Sequence, residues 1–279
     1  TTHDQIQGFL NEPMFSDTYI AVMPDCHAGK GAVVGFTMKM NNYIIPNIIG
    51  VDIGCGMLMA KYHVSDVDLP ALDAYIKQNI PYGFAINNNA QYTNELFLSE
   101  VRYVCSQIGL DFEKTRKAIG SLGGGNHFIE VGLDTDHNIT VTIHSGSRNF
   151  GKCVADYYQA KAKEELASYF LKDTHKDLEF LLTDSDSGSD YMYSMGVAQR
   201  FASHNRMQML GKLSDFIGID PTEVIESVHN FIGDDNIIRK GATSANKGEK
   251  VIIPFNMRDG IALCTGLGSP KYNFSAPHG

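Results

Sequence analysis

At 279 residues the chain is long enough to bury a full core, and its 43% apolar and 20% charged residues are those of an ordinary globular protein. No apolar run reaches the roughly 20 residues of a membrane span, and the opening Thr1-Thr-His-Asp-Gln5 has neither the basic nor the apolar part of a secretory signal. Five cysteines, with no Cys-x-x-Cys pair, point to free thiols in a reducing cytoplasm, and a net charge of −9 argues against broad nucleic-acid binding while leaving room for a local basic groove.

In chain order, Tyr19–Met23 reads as a buried strand entering a polar loop, Pro24-Asp-Cys-His-Ala-Gly-Lys-Gly31. Val33–Thr37 is a second strand, Asn41-Asn42 a turn, and Tyr43-Ile-Ile45 the next extended piece. Ile48–Met57 is apolar but punctuated by glycine, and Met57–Val64 is again strand-like. Asp68–Gln78 and Asn94–Lys117 read as helices separated by Pro81-Tyr-Gly83, and strands follow over 128–143. Cys153–Leu171 has helical composition with a partly exposed face. The low-complexity Asp184–Asp190 is expected to be a loop, with Asp190 capping a helix over 191–216. Asp220-Pro221 predicts the first turn of a further helix, which would put His229 at a helix end. Val251–Ile253 and Ile261–Cys264 alternate with glycine turns. With no repeat and no linker, the fold class is α+β: one mixed domain over 1–279, with sheets around a central site and helical insertions.

The densest chemistry lies in Gly120-Ser-Leu-Gly-Gly-Gly-Asn-His-Phe-Ile-Glu130 and Thr142-Ile-His-Ser-Gly-Ser-Arg148. A run of glycines cannot build a core; it lets backbone approach a ligand closely, often a phosphate. His127 and His144, on neighbouring strand ends, suit a metal pair; the alternative is two satisfied, partly buried histidines. Asp52 and Cys55, three residues apart around a glycine, could face one ion or simply end a strand. Asp25 and His27 lie in what could equally be a plain turn. His3, His63, His137, His175 and His204 read as surface or core, Cys26 as ambiguous, and Cys105, Cys153 and Cys264 as packing. Segment 239–258 sets Arg239, Lys240, Lys247, Lys250 and Arg258 against Glu249 alone. This local positive island is either a phosphate site, with Arg148 belonging to it, or a solvated hairpin.

Met23-Pro-Asp-Cys-His-Ala-Gly-Lys-Gly31, Val51-Asp-Ile-Gly-Cys-Gly56, Gly123–Glu130, His144–Arg148, Arg239-Lys-Gly-Ala242 and Pro277-His-Gly279 stand in the order found in the RtcB family. The chain resembles these GTP-dependent RNA-splicing and RNA-repair ligases from about residue 19 onward. The resemblance implies joining of an RNA 3′-phosphate or 2′,3′-cyclic phosphate to a 5′-hydroxyl, with two manganese ions and GTP. A histidine is guanylylated, GMP passes to the RNA 3′-phosphate, and the 5′-hydroxyl displaces it. By the same resemblance Asp52, Cys55, His127, His144 and His229 match the metal ligands, with Cys55 shared. Asn126, Phe128 and Glu130 match the guanylate contacts, and His278 matches the nucleophile, with Asp25 orienting its ring. Arg148, Arg239 and Lys240 are the expected phosphate or RNA contacts.

Two departures qualify the match. The family continues past His-Gly with Ala-Gly-Arg and a nucleotide-binding tail, so weak GTP binding is expected of residues 1–279 alone. It also often has a glycine- and serine-rich turn where this chain has Asn256-Met-Arg-Asp259. The competing readings are a metal-dependent phosphoesterase and a non-catalytic RNA-end-binding protein.

Overall fold

The computed structural model describes residues 1–168 and 177–279. The elements are α1 (Thr2–Leu10), β1 (Ile20–His27), β2 (Val34–Lys39), β3 (Tyr43–Ile44), α2 (Pro46–Ile49), β4 (Gly56–Lys61), α3 (Leu69–Asn79), α4 (Glu95–Ile108) and α5 (Phe112–Arg116). They continue with β5 (Phe128–Leu133), β6 (Ile139–Ser145), α6 (Arg148–Ser168), β7 (Leu181–Leu182), α7 (Asp186–Ile217), β8 (Glu223–Val228), β9 (Asn230–Ile232) and β10 (Ile237–Lys240). The last are β11 (Ala242–Ser244), β12 (Lys250–Asn256), β13 (Gly260–Thr265) and β14 (Ser275–Pro277). This is a mixed α+β fold, as the alternation of element types implies.

Two four-stranded sheets carry it, in the orders β1-β2-β10-β9 and β5-β6-β4-β8. In the second sheet Phe128 pairs with His144, which pairs with Met57, which pairs with Ser227. Because side chains alternate across a strand, one face presents Leu58, Ala60, Val141 and Ile143 to Met209, Leu210 and Leu213 of α7. The other face presents Met57, Met59 and Ile225 to Ile252 and Ile261 of the β12–β13 hairpin, with Phe128 partly buried beside them. The first sheet packs Phe36, Met38 and Ile238 among Ile48, Ile49 and Val154 from α2 and α6. Helix α7 is 32 residues long, about 48 Å at the α-helical rise. It joins both cores: Tyr191, Met195, Ala198 and Phe201 lie in one, Met209 to Leu213 in the other. Among the described residues no helix is long and apolar enough to cross a membrane, and all five cysteines are free.

Several local expectations change. Asp25, Cys26 and His27 belong to β1, not to a loop; a register shift between Val22 and His27 accommodates Pro24, which has no N–H to pair. Helix 94–117 breaks at Gly109, which takes the left-handed conformation (φ +68°) that ends α4. Helix α7 starts earlier than expected, capped by Ser185, whose hydroxyl accepts from Gly188 N at 3.0 Å; Asp190 is inside it. The helix expected after Pro221 is strand β8: Val224 and Ile225 pair with Ala60 and Met59, and tertiary pairing overrides the proline signal. His229 therefore follows a strand end. Helix α6 begins at Arg148, before the expected Cys153; residues 169–171 and His175 lie outside the described residues.

Candidate active site

The turn before β4 delivers Asp52 and Cys55, the residue before β5 is His127, β6 delivers His144, and His229 sits between β8 and β9. The ligand atoms of Cys55, His144 and His229 lie within 4.8 Å of one another, and so do those of Asp52, Cys55 and His127. Cys55 belongs to both groups. Its Sγ is 3.3 Å from His144 Nε2 and 3.7 Å from His127 Nε2, and His144 Nε2 is 3.4 Å from His229 Nε2. Metal–nitrogen bonds of about 2.1 Å and metal–sulfur bonds of about 2.3 Å at a tetrahedral centre give ligand separations of roughly 3.4–3.6 Å, so this spacing fits an ion.

Proton accounting supports the same conclusion. His127 Nδ1 donates to Leu122 O and His144 Nδ1 donates to Asn126 O, each at 2.9 Å. A carbonyl cannot donate, so both Nδ1 atoms carry the hydrogen and both Nε2 lone pairs face inward. His127 Nε2 then meets Asp52 Oδ2 at 3.0 Å, lone pair to lone pair, an arrangement that a cation or a proton must bridge. Burial, then the neighbouring His127, holds His144 down at about 4, and burial, then His144, holds His229 well below its ordinary range. Both imidazoles are neutral and ligand-competent at pH 7. Burial, then Asp52, pushes the Cys55 thiol well up; a bound cation would reverse this. Burial acts upward on Asp52 as well, but His127 more than offsets it and the carboxyl stays below its usual range.

The sequence reading did not single out the supports. Between the two cores, α7 carries Asn205 and Arg206, both fully buried. Asn205 accepts from Gly120 N and Ser121 N and donates to Ser145 Oγ and Gly146 O. Arg206 donates to Gly54 O at 2.8 Å, Ser145 O at 2.6 Å and Glu226 Oε1 at 2.9 Å. Gly54 precedes Cys55 and Ser145 follows His144, so one guanidinium ties two ligand-bearing backbones together. A Cβ at Gly146 would fall 2.1 Å from Asp52 Oδ1, so only glycine lets that backbone pass the carboxylate.

A cleft of about 310 Å³ opens beside the cluster, lined by His27, Lys30, Asn126, His229, Lys240 and His278 as well as Asp52 and Cys55. The His278 ring centroid is 4.9 Å from that of His229, and His278 Nδ1 is 2.8 Å from Asp25 Oδ2. The same carboxylate oxygen accepts the backbone N–H of His278 and of Gly279, each at 3.2 Å. Burial acts upward on Asp25, but its contacts with His278 and Gly279 hold it below its usual range. Strand β14 pairs with β11, Ala242 opposite Pro277, which fixes the backbone entering His278. A larger surface cavity of about 540 Å³, lined by Glu226, Asp235, Arg239 and Glu249, contains none of the metal-competent groups.

Asn126 is exposed at the cleft, and Phe128 and Glu130 are half-buried on the sheet face toward the β12–β13 hairpin. Glu130 has no hydrogen-bond or ion-pair partner among the described residues. The positive island does not form. Arg239 and Lys240 are adjacent in β10 and so project to opposite faces. Lys240 lines the cleft, its ammonium on Lys30 O and Asn47 O. Arg239 is fully buried on Asp235, Ser275 Oγ and Asn273 O. Lys250 pairs with Glu223, and Arg258 with Asp259. Arg148 donates to Ser121 Oγ and Gly83 O, clamping two loops.

A family profile described as tRNA-splicing ligase RtcB matches residues 5–115 and 110–279. The chain is 29% identical over 297 residues to the RNA-splicing ligase RtcB of Escherichia coli K12, covering 94% of this chain and 73% of that protein. It is 26% identical over 340 residues to the tRNA-splicing ligase RtcB of Nanoarchaeum equitans, covering 91% and 70%. To the tRNA-splicing ligase RtcB of Aeropyrum pernix it is 24% identical over 348 residues, covering 94% and 72%.

Proposed function

The chain belongs to the RtcB family and is an RNA ligase, and from that premise we propose that residues 1–279 form one ligase domain that joins an RNA 3′-phosphate or 2′,3′-cyclic phosphate to a 5′-hydroxyl at the expense of GTP. The observation that carries this reading is the position of His278, held by Asp25 against a cluster whose two ligand groups share Cys55. Asp52, Cys55, His127, His144 and His229 would hold two divalent ions, manganese by family resemblance. Such ions supply charge neutralisation at the triphosphate and the RNA end.

The protein's own groups account for the rest. Asp25 Oδ2 faces His278 Nδ1, which leaves Nε2 to attack the α-phosphorus of GTP. The Nε2–P bond forms, the P–O bond to pyrophosphate breaks, and pyrophosphate leaves. Water first opens a 2′,3′-cyclic phosphate to the 3′-phosphate; an oxygen of that phosphate takes the guanylate as the Nε2–P bond breaks, and the 5′-hydroxyl oxygen displaces GMP, its proton passing to solvent. Lys240 meets phosphate oxygens from the cleft wall. Asn126 meets the guanylate phosphate, Phe128 packs on the base, and Glu130 accepts from guanine N1–H and N2–H, a donor pair that adenine lacks. Incubation with manganese and α-labelled GTP, at a concentration and for a time that offset weak GTP binding, followed by denaturation, should leave an acid-labile label on the protein. His278→Ala should abolish that label while manganese binding persists. Phosphate release from RNA ends without protein-bound guanylate would replace the ligase reading with a phosphoesterase.

A further inference from the structure

Pro81-Tyr-Gly-Phe84 lies between α3 and α4, and two of its rings face water: Tyr82 is 64% exposed and Phe84 107%. Exposed apolar loops usually move, but the backbone of this one is tied down on both sides of Phe84. Pro81 O accepts from Leu122 N at 2.8 Å, Gly83 N donates to Gly123 O at 2.7 Å, and Ala85 N donates to Tyr82 O at 3.1 Å. Tyr82 and Gly123 form a parallel bridge, and Arg148 Nη2 donates to Gly83 O at 2.7 Å. Exposure of two aromatic rings on one short, hydrogen-bonded loop is costly to solvation.

The loop also abuts the site. A Cβ at Gly123 would stand 2.5 Å from His127 Nδ1 and 2.2 Å from Arg148 Nη1, so Gly123 backbone lies directly against a ligand-set imidazole. Tyr82 is one bridge spacing further out, roughly 5 Å from Gly123. Leu122, which receives the His127 proton, is hydrogen-bonded to Pro81. The loop backbone thus shares its hydrogen bonds with the segment that holds His127 from its Nδ1 side.

An RNA ligase has to grip RNA beyond its terminal phosphate, and the acidic balance of this chain does not favour doing so by charge. Its net charge is −9, and Arg239, Lys250 and Arg258 are occupied by Asp235, Glu223 and Asp259. Base stacking on aromatic side chains needs no free cation and tolerates any base. We propose that Tyr82 and Phe84 form a stacking platform for the unpaired nucleotides next to the RNA end being joined. This rests on the ligase reading above and adds to it the residues that hold the strand.

The test uses the manganese-loaded protein and a single-stranded, 3′-phosphorylated oligoribonucleotide with 2-aminopurine at its last two positions. Binding should quench the fluorophore, as stacking does. The double variant Tyr82→Ala/Phe84→Ala should lose the quenching and bind about 10- to 100-fold more weakly, with manganese affinity unchanged. Phe84→Trp in the Tyr82→Ala background should restore most of both. Unchanged affinity and quenching in the double variant, with the unmodified protein ligating RNA, would overturn the platform and leave the ligase reading intact. Loss of self-association in that variant, with RNA binding unchanged, would assign the rings to a second copy and also overturn it. Failure of the unmodified protein to bind or join RNA ends would overturn both.

Discussion

Replacing Arg206 with methionine tests whether the candidate metal cluster is pre-built by the fold. The arginine is fully buried and donates to two backbone carbonyls, Gly54 O and Ser145 O, and to the Glu226 carboxylate. Hydrogen bonds to charged groups contribute roughly 1.5–3 kcal/mol each, so losing the two carbonyl contacts costs about 3–6 kcal/mol. The Glu226 bond adds less, because that side chain is 31% exposed and water can take over. Against a total stability of about 5–15 kcal/mol, this leaves Arg206→Met folded but marginal. Arg206→Lys, which keeps the charge and can reach one carbonyl, should lose about half as much. Because Gly54 and Ser145 adjoin Cys55 and His144, manganese affinity should fall about 10- to 100-fold in Arg206→Met, as for other outer supports of ligand residues. Urea unfolding of the metal-free protein reads the first effect, and manganese titration of the folded protein reads the second. A variant with unchanged stability would refute the hydrogen-bond reasoning; one that is destabilised yet binds manganese normally would show that the clamp serves the fold alone.

The high thiol pKa of Cys55 has a calorimetric consequence: metal binding should release the Cys55 proton at pH 7, adding to any proton displaced between His127 and Asp52, seen as a binding heat that varies with the buffer's ionisation enthalpy, and Cys55→Ser should reduce that dependence by about one proton. A buffer-independent heat in the unmodified protein would remove Cys55 from the ligand set. Burial holds Lys240 at about 8 instead of its ordinary 10.5. Between those values the unfolded chain keeps the proton and the folded chain does not, so stability rises with pH across the window, by up to about 3 kcal/mol. Lys240→Met should flatten that rise, and an identical pH profile in the two proteins would contradict the assignment. Glu130→Gln should cut guanine-over-adenine selectivity on the order of 10-fold or more without altering manganese affinity; equal guanylylation and adenylylation by the unmodified protein would argue against a guanine-reading carboxylate.

Short-range signals were legible where one residue type has few uses. Glycine beside aspartate, cysteine and histidine marked the segment at 51–56 and the run at 120–130, and the alternation Ile139-Thr-Val-Thr-Ile143 marked the strand that carries His144. What sequence periodicity misread was decided across the fold. Asp220-Pro221 has the form of a helix start, yet Val224 and Ile225 pair with β4, and a proline outside the paired residues does nothing to prevent it. Arg239 and Lys240 looked like one basic patch because adjacency in sequence hides the strand's period of two. Asn205 and Arg206 sit inside a long helix without any local sign of their partners at 54, 120–121 and 145–146, which lie more than fifty residues away. Nor could Tyr82 and Phe84 be told from core residues by type; only their exposure distinguishes them.

The contact between Asp25 and His278 spans 253 positions of chain, and Asn273 Nδ2 donates to Tyr19 O across a similar distance. All five metal-competent side chains are made by residue 229. Long-range contacts of this kind are the last and slowest to form. Detaching β14 from β11 would therefore release His278 from Asp25 while leaving the five metal-competent side chains in place.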